Sequence, residues 1–274
     1  MKVAITLLLG IGLAGQVFAG ASKDGKTPAG SQVYTMEIAG STSVTPLMEL
    51  LAGEYGKTHP NLKININGTG SSDGIKAAAE GTSELGMSSR ELTPAEKGAG
   101  LDERVIAVDG IAVIVHPANP IADLTLEQIR GIYSGGIPDW RELGDSKTGK
   151  IAVVSREPGS GTRGAFEELI NLKDKLLLGA TEFDGTGAIK AEISRNQDAI
   201  GYISLGSLDP SVKALTVQGA AATSDNVRNS SYPIARPFII VSKKTLSPEG
   251  TQFLNWILSS EGQKIVGKNW ISVR

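Results

Sequence analysis

The 274-residue chain has no cysteine and only two histidines. The first absence excludes a disulfide framework, a thiolate metal centre and a catalytic thiol. It also removes any lipid-attachment cysteine behind the N-terminal segment. The histidines, His59 and His116, are each followed by proline and read as turn or surface residues. A zinc centre is therefore not expected, and a nucleophilic serine would lack its usual activating base. No Ser-x-x-Lys spacing offers a lysine in its place. Composition leaves an all-carboxylate metal site open; no metal and no cofactor is expected. Net charge is also small: 27 basic against 29 acidic residues give −2, which argues against electrostatic capture of nucleic acid or of an anionic membrane. Beyond the N-terminus no apolar run approaches the ~20 residues of a membrane-spanning helix.

What is present is the composition of an ordinary globular protein, 40% hydrophobic and 20% charged. The length allows one large domain or two modest ones with a proper core. Met1-Lys2 supplies a positive charge, Val3 to Gly15 is apolar, and Val17-Phe18-Ala19 or Ala19-Gly20-Ala21 offers a small-residue cleavage site. Residues 1–21 thus read as a cleavable secretory signal rather than a membrane anchor. Removal of Lys2 with it leaves 26 basic against 29 acidic residues, a charge of −3. Export without a lipid anchor suits the periplasm of a double-membraned bacterium. Residues 22–34, rich in Gly, Ser, Lys and Pro, read as a disordered leader.

From Tyr34 onward short apolar runs alternate with helical patterns. Strands are expected at 36–39, 62–66, 85–87, 104–108, 110–115, 151–155, 200–203, 213–217 and 238–242. Helices are expected at 44–55, 74–80, 162–172, 188–195, 248–258 and 261–268. The alternation predicts an α/β fold with largely parallel sheets. Two apolar runs, Gly110 to Val115 and Pro233 to Val241, are placed to cross between two lobes. Lobe 1 would then comprise 35–110 and 234–274, and lobe 2 would comprise 111–233.

Three segments share one design, in which a strand leads through small hydroxyl residues into a helix. They are Gly40-Ser41-Thr42-Ser43, Gly68-Thr69-Gly70-Ser71-Ser72-Asp73 and Arg156-Glu157-Pro158-Gly159-Ser160-Gly161-Thr162. A helix N-terminus carries free N–H groups and a partial positive charge, so it attracts oxyanions. Hydroxyls add donors without formal charge, glycine permits close backbone approach, and the Arg156 fork can hold two oxygens of a tetrahedral anion. Taken singly, each segment reads as an N-cap or turn. Taken together with Arg156 they read as a binding site for one anion. A dinucleotide loop is not the reading: the third glycine of 68–74 falls one place late, and 159–162 lacks a P-loop lysine.

Gly40-Ser41-Thr42-Ser43-Val44-Thr45-Pro46, Gly86-Met87-Ser88-Ser89-Arg90-Glu91-Leu92, Ile132-Tyr133-Ser134-Gly135-Gly136-Ile137-Pro138-Asp139-Trp140 and Arg156 through Thr162 resemble the phosphate-binding proteins of bacterial phosphate ABC transporters, in their compact branch. The motifs occur in the family's order along nearly the whole mature chain. The resemblance implies a two-lobed type II periplasmic-binding-protein fold, no enzymatic activity, and phosphate gripped between lobes. It implies phosphate contacts from Thr42, Ser43 and Ser71 on one side and from Arg156, Ser160, Gly161 and Thr162 on the other. It also implies a membrane permease as partner, and a monomer. One position departs from the pattern. Better-known members place an aspartate, which accepts a proton from phosphate, where this chain has Ser89 followed by Arg90. Asp73 and Asp109 are candidate replacements, a serine oxygen such as that of Ser89 is another, and Ser41 and Arg90 are further candidates for the site. Other functions compatible with the sequence are a receptor for sulfate or molybdate, a secreted phosphatase, and a structural or adhesive exported protein.

Overall fold

The computed structural model describes residues 33–144, 149–172 and 175–274. The signal segment, and the leader up to residue 32, lie outside the described residues. Tyr34 opens the first strand.

Strands β1 (Tyr34–Gly40), β2 (Leu62–Gly68) and β3 (Leu85–Ser88) are parallel, with β1 central, so that Ile38 lies opposite both Ile66 and Leu85. Helix α1 (Thr45–Gly56) links β1 to β2, and α2 (Ser71–Glu80) links β2 to β3. The apolar face of α1, Leu47, Met48, Leu51 and Tyr55, follows the helical period and is buried. A single turn, α3 (Pro94–Lys97), precedes the 14-residue β4 (Asp102–Val115). Then come β5 (Asp123–Leu124), α4 (Leu126–Tyr133), β6 (Ala152–Arg156), α5 (Gly161–Leu169), β7 (Thr181–Phe183), α6 (Gly185–Arg195) and β8 (Ala199–Ser204). The chain closes with β9 (Lys213–Ala214), β10 (Thr216–Val217), α7 (Ser224–Arg228), β11 (Ala235–Ser242), α8 (Pro248–Ile257) and α9 (Ser260–Val266).

The strands line up in the order β2-β1-β3-β11-β4-β8-β6-β7. This is a mixed arrangement rather than a largely parallel one. β11 runs antiparallel to both β3 and β4, and β4 antiparallel to β8, while β8, β6 and β7 are parallel. The cause lies in β4, expected as two strands broken near Asp109. Its backbone continues unbroken because β11 pairs with it as far as Gly110 and β8 takes over at Ile111.

Two apolar cores flank that handover. Ile106, Ala107, Phe238 and Ile240 pack with Met36, Ile38, Leu47, Phe253, Ile257 and Val266. Ile111, Val113, Val115 and Ile234 pack instead with Trp140, Phe166, Ile200 and Tyr202. The fold is thus α/β and two-lobed, with two strands passing between the lobes. Trp140 is a packing residue whose indole N–H donates to the Asp198 carbonyl at 2.9 Å. α4 was not expected from the sequence. Its signal is the capping box of Thr125 and Gln128, which satisfies two helix-terminal donors reciprocally.

Candidate oxyanion site

The C-terminal ends of β1, β2 and β3 lie side by side, and their loops meet. Gly40 ends β1 at φ 139°, and a Cβ there would run into the main chain of Met87. A Cβ on Gly74 would likewise overlap the Gly40 backbone. These glycines let α2 sit directly on the strand ends. The Gly40 carbonyl accepts N–H bonds from Thr69 and Gly70 at 2.8 and 2.9 Å, which fixes the second loop under the first. On the facing side β6 ends at Arg156 and leads into α5, while β7 leads through Asp184 and Gly185 into α6.

The hydroxyls of these loops touch across the cleft. Ser43 Oγ and Thr162 Oγ1 are 2.8 Å apart, and Thr186 Oγ1 stands 3.3 Å from both Ser43 Oγ and Thr42 Oγ1. Ser41 Oγ donates to Ser89 Oγ at 2.8 Å, and the Ser89 N–H donates to Ser71 Oγ at 3.1 Å. Gly161 packs so closely on Ser71 and Ser89 that a Cβ could not be accommodated. Ser41, Ser43, Ser71, Ser89, Arg156, Ser160, Thr162 and Thr186 are all buried.

Capping separates these termini from the rest. A side-chain oxygen caps the first turn of α3, α4, α5, α7, α8 and α9. Among the described residues no side chain caps α1, α2 or α6. Those three uncapped termini are the ones that meet α5 in the cluster. The simple cap reading holds for Ser160, whose Oγ accepts the Arg163 N–H at 3.3 Å. It does not describe Thr42, Ser43, Ser71 or Thr186, whose hydroxyls approach one another and Ser89, Thr162 and Arg156 instead.

Arg156 is clamped. Its Nε and Nη2 donate to Glu157 at 2.7 and 2.6 Å, and Nη2 also donates to Thr42 Oγ1 at 3.0 Å. Its N–H donates to the Tyr202 hydroxyl, and its carbonyl accepts from Arg163. Burial pushes the Tyr202 phenol up to about 12, so it stays neutral. Of its guanidinium nitrogens, Nη1 is buried without a protein partner among the described residues. A buried guanidinium nitrogen with nothing to donate to is costly unless an acceptor reaches it.

The remaining candidates are placed elsewhere. Asp73 is exposed in the first turn of α2, where its charge suits the helix dipole. The Arg90 guanidinium is taken up by Glu96, at 2.7 and 2.8 Å, by the Glu91 carbonyl and by Ser72 Oγ. Its stem lies against Gly164 of α5 at the rim of the cleft. Asp109 is fully buried, but both its oxygens are engaged, Oδ1 by Ser204 and Oδ2 by Arg236. The reading of the sequence missed three residues. Thr186 belongs to a fourth strand–Gly–hydroxyl–helix segment, Phe183-Asp184-Gly185-Thr186, hidden because the helix was expected to begin at Ala188. Glu157 orients Arg156 and accepts the Gly185 N–H at 3.2 Å. Arg236 donates to the Ser89 carbonyl at 3.2 Å, and no local pattern announces it.

A two-lobed α/β frame whose uncapped helix termini and buried guanidinium face one cleft defines a small-anion binding protein. The comparisons place it further. Residues 25–261 match the family described as the PBP superfamily domain. The phosphate-binding protein PstS of Pseudomonas aeruginosa is 33% identical over 258 residues, covering 84% of this chain and 80% of that one. PstS of Borreliella burgdorferi is 30% identical over 243 residues, covering 84% and 87%. A phosphate ABC transporter substrate-binding protein of Clostridium perfringens, solved with bound phosphate, superposes with a TM-score of 0.86 at 49% identity, over 88% of this chain and 100% of that one. An ABC-type phosphate transport receptor of Vibrio cholerae superposes with a TM-score of 0.73 at 35% identity, over 87% and 100%. The chain belongs to the PBP superfamily and, within it, to the family of the PstS phosphate-binding proteins.

Proposed function

We propose that this protein is the exported receptor that captures inorganic phosphate and hands it to the permease of an ABC transporter. The observation that carries the reading is the meeting of three uncapped helix termini with a buried Arg156 whose Nη1 has no protein partner. Such donors suit a compact anion with several equivalent oxygens, and a phosphate dianion removed from water strengthens each charge-assisted bond. Thr42, Ser43 and Ser71 hold it from lobe 1, taken as 35–110 and 234–274. Arg156, Gly161, Thr162 and Thr186 hold it from lobe 2, taken as 111–233, with Ser160 shaping the α5 terminus. Both oxygens of Glu157 and of Asp109 are occupied by guanidinium, hydroxyl or backbone donors. We assign the proton that phosphate keeps near neutral pH to a hydroxyl oxygen of the cluster, with Ser89 Oγ, which already accepts from Ser41 at 2.8 Å, using its second lone pair.

Capture works by hinge closure. One set of termini binds first, and closure brings Arg156 and α5 onto the ligand and expels water. The permease then recognises the closed form. No bond is made or broken. His59 stacks on Tyr55 with ring centroids 3.7 Å apart, and His116 accepts the Ala118 N–H, so neither imidazole is committed to a serine of the cluster. The mature chain acts as a monomer in the periplasm after loss of residues 1–21, and binding calls for no metal or cofactor. Equilibrium dialysis with labelled phosphate against equal concentrations of sulfate or molybdate tests the reading, alongside incubation with a phosphomonoester. Retention of phosphate and an intact ester are expected. Tighter binding of sulfate or molybdate, or release of phosphate from the ester, would replace this function with another.

A further inference from the structure

Asp109 and Arg236 form an ion pair whose side chains are 0% and 1% exposed. They are cross-strand partners where β4 and β11 leave one apolar core for the other. Arg236 Nη2 and Nε approach Asp109 Oδ2 at 3.2 and 3.4 Å, and Nη1 reaches the Ser89 carbonyl at 3.2 Å. Ser204, at the end of β8, donates to Asp109 Oδ1 at 2.9 Å, and the Gly206 N–H also supports that carboxylate. The guanidinium carbon lies 5.4 Å from the centre of the Phe238 ring. Strand pairing alone does not call for such a pair, since an apolar pair of similar volume would hold the two strands at least as well.

What the pair touches is the anion site. Ser89 donates its N–H to Ser71 Oγ, and its hydroxyl accepts from Ser41. A shift of the Ser89 main chain therefore moves two other hydroxyls of the cluster. We propose that Arg236 is a positioning residue for the oxyanion site, fixing Ser89 through its carbonyl and lending a second guanidinium charge that Asp109 sets. The inference rests on the phosphate reading above.

The groups facing the pair are Ser204, Gly206 N–H and Tyr232 around Asp109, and Arg156, Tyr202 and the Ser89 carbonyl around Arg236. Burial holds the Asp109 carboxyl up at about 6 and Arg236 down at about 10. With Asp109 ionised the pair is neutral. With Asp109 protonated, Arg236 faces the site uncompensated, and anion affinity rises.

The test is calorimetric titration with phosphate from about pH 5 to about pH 8, with melting temperatures recorded. The proteins are wild type, Asp109→Asn, Arg236→Lys, Arg236→Met and the double variant Asp109→Leu/Arg236→Met. The double variant leaves no uncompensated buried charge, so it keeps the test independent of misfolding in the single ones. It and Arg236→Met are expected to bind phosphate at least about tenfold more weakly, and Arg236→Lys to recover part of that. The titration of phosphate itself cancels in the ratio of wild-type to Asp109→Asn affinity. That ratio approaches one below about pH 6 and falls below one above it. Unchanged affinity in the double variant, or a ratio flat with pH, overturns the proposal while phosphate binding by the wild type stands. Failure of the wild type to bind phosphate removes the reading beneath it, and the proposal with it.

Discussion

Ser43 and Thr162 are 119 positions apart in sequence, yet their hydroxyl oxygens lie 2.8 Å from each other across the cleft. Each belongs to the start of a different helix on a different side, so their contact marks a closed cleft. In that state the two hydroxyls join those of Thr42 and Thr186 in one contiguous buried cluster.

Arg156→Ala removes a buried guanidinium whose Nη1 has no partner among the described residues. It also leaves Glu157 without its guanidinium partner. Phosphate binding is expected to weaken by about 2–5 kcal/mol, the usual cost of truncating one member of a buried charge-assisted contact. Titration calorimetry reads this directly. Near-normal affinity would take Arg156 out of the site.

Thr186→Val keeps the shape of the side chain and deletes its hydroxyl. The expected loss is about 1 kcal/mol of phosphate affinity, roughly fivefold, with the melting temperature of the ligand-free protein unchanged. A melting loss without an affinity loss would make Thr186 a packing residue.

Gly161→Ala places a methyl group against Ser71 Oγ and 2.8 Å from Ser89 Oγ. The clash exists only when the cleft is shut, because Gly161 comes from one side and both serines from the other. The variant is expected to fold normally and to release phosphate faster, by at least about tenfold if closure costs more than ~1.4 kcal/mol. Stopped-flow dissociation measures it. An unchanged rate would show that α5 does not close onto α2.

Stability should respond to pH through Asp109. Its carboxyl titrates at about 6 in the folded protein against 3.8 unperturbed, because desolvation outweighs the help of Arg236 and Ser204. Between those values the folded state holds more protons than the unfolded one, so the contribution of Asp109 is full below about pH 4 and is lost as pH rises through about 6. Paired acids such as Glu96, held low by its hydrogen bonds from Arg90, act in the opposite sense. The difference in melting temperature between wild type and Asp109→Asn should therefore change between about pH 4 and pH 6 and level off above. A difference constant across that window would contradict the placement of this titration.

Much of this was legible in the sequence, because strand–hydroxyl turn–helix segments are local patterns. Ser41 to Ser43, Ser71 and Arg156 to Thr162 could be grouped from spacing alone, and the cleft brings them together. What stayed hidden depends on contacts distant in sequence. Glu157 reads as an ordinary loop acid until Arg156 folds onto it. Arg236 lies 147 positions from Ser89, whose carbonyl it holds. β4 runs straight through Asp109 and Gly110 only because two different strands pair with its two halves. Arg90 looked like a cation for the anion, but Glu96, six residues on, claims it.

On the function proposed above, four helix termini and Arg156 grip one phosphate. Calorimetric titration of the mature protein, stripped of bound ligand, tests it most directly. Saturable binding of one phosphate per chain is expected in the wild type, with its near loss in Arg156→Ala. A flat titration of the folded wild type, or binding that survives Arg156→Ala unchanged, would contradict it.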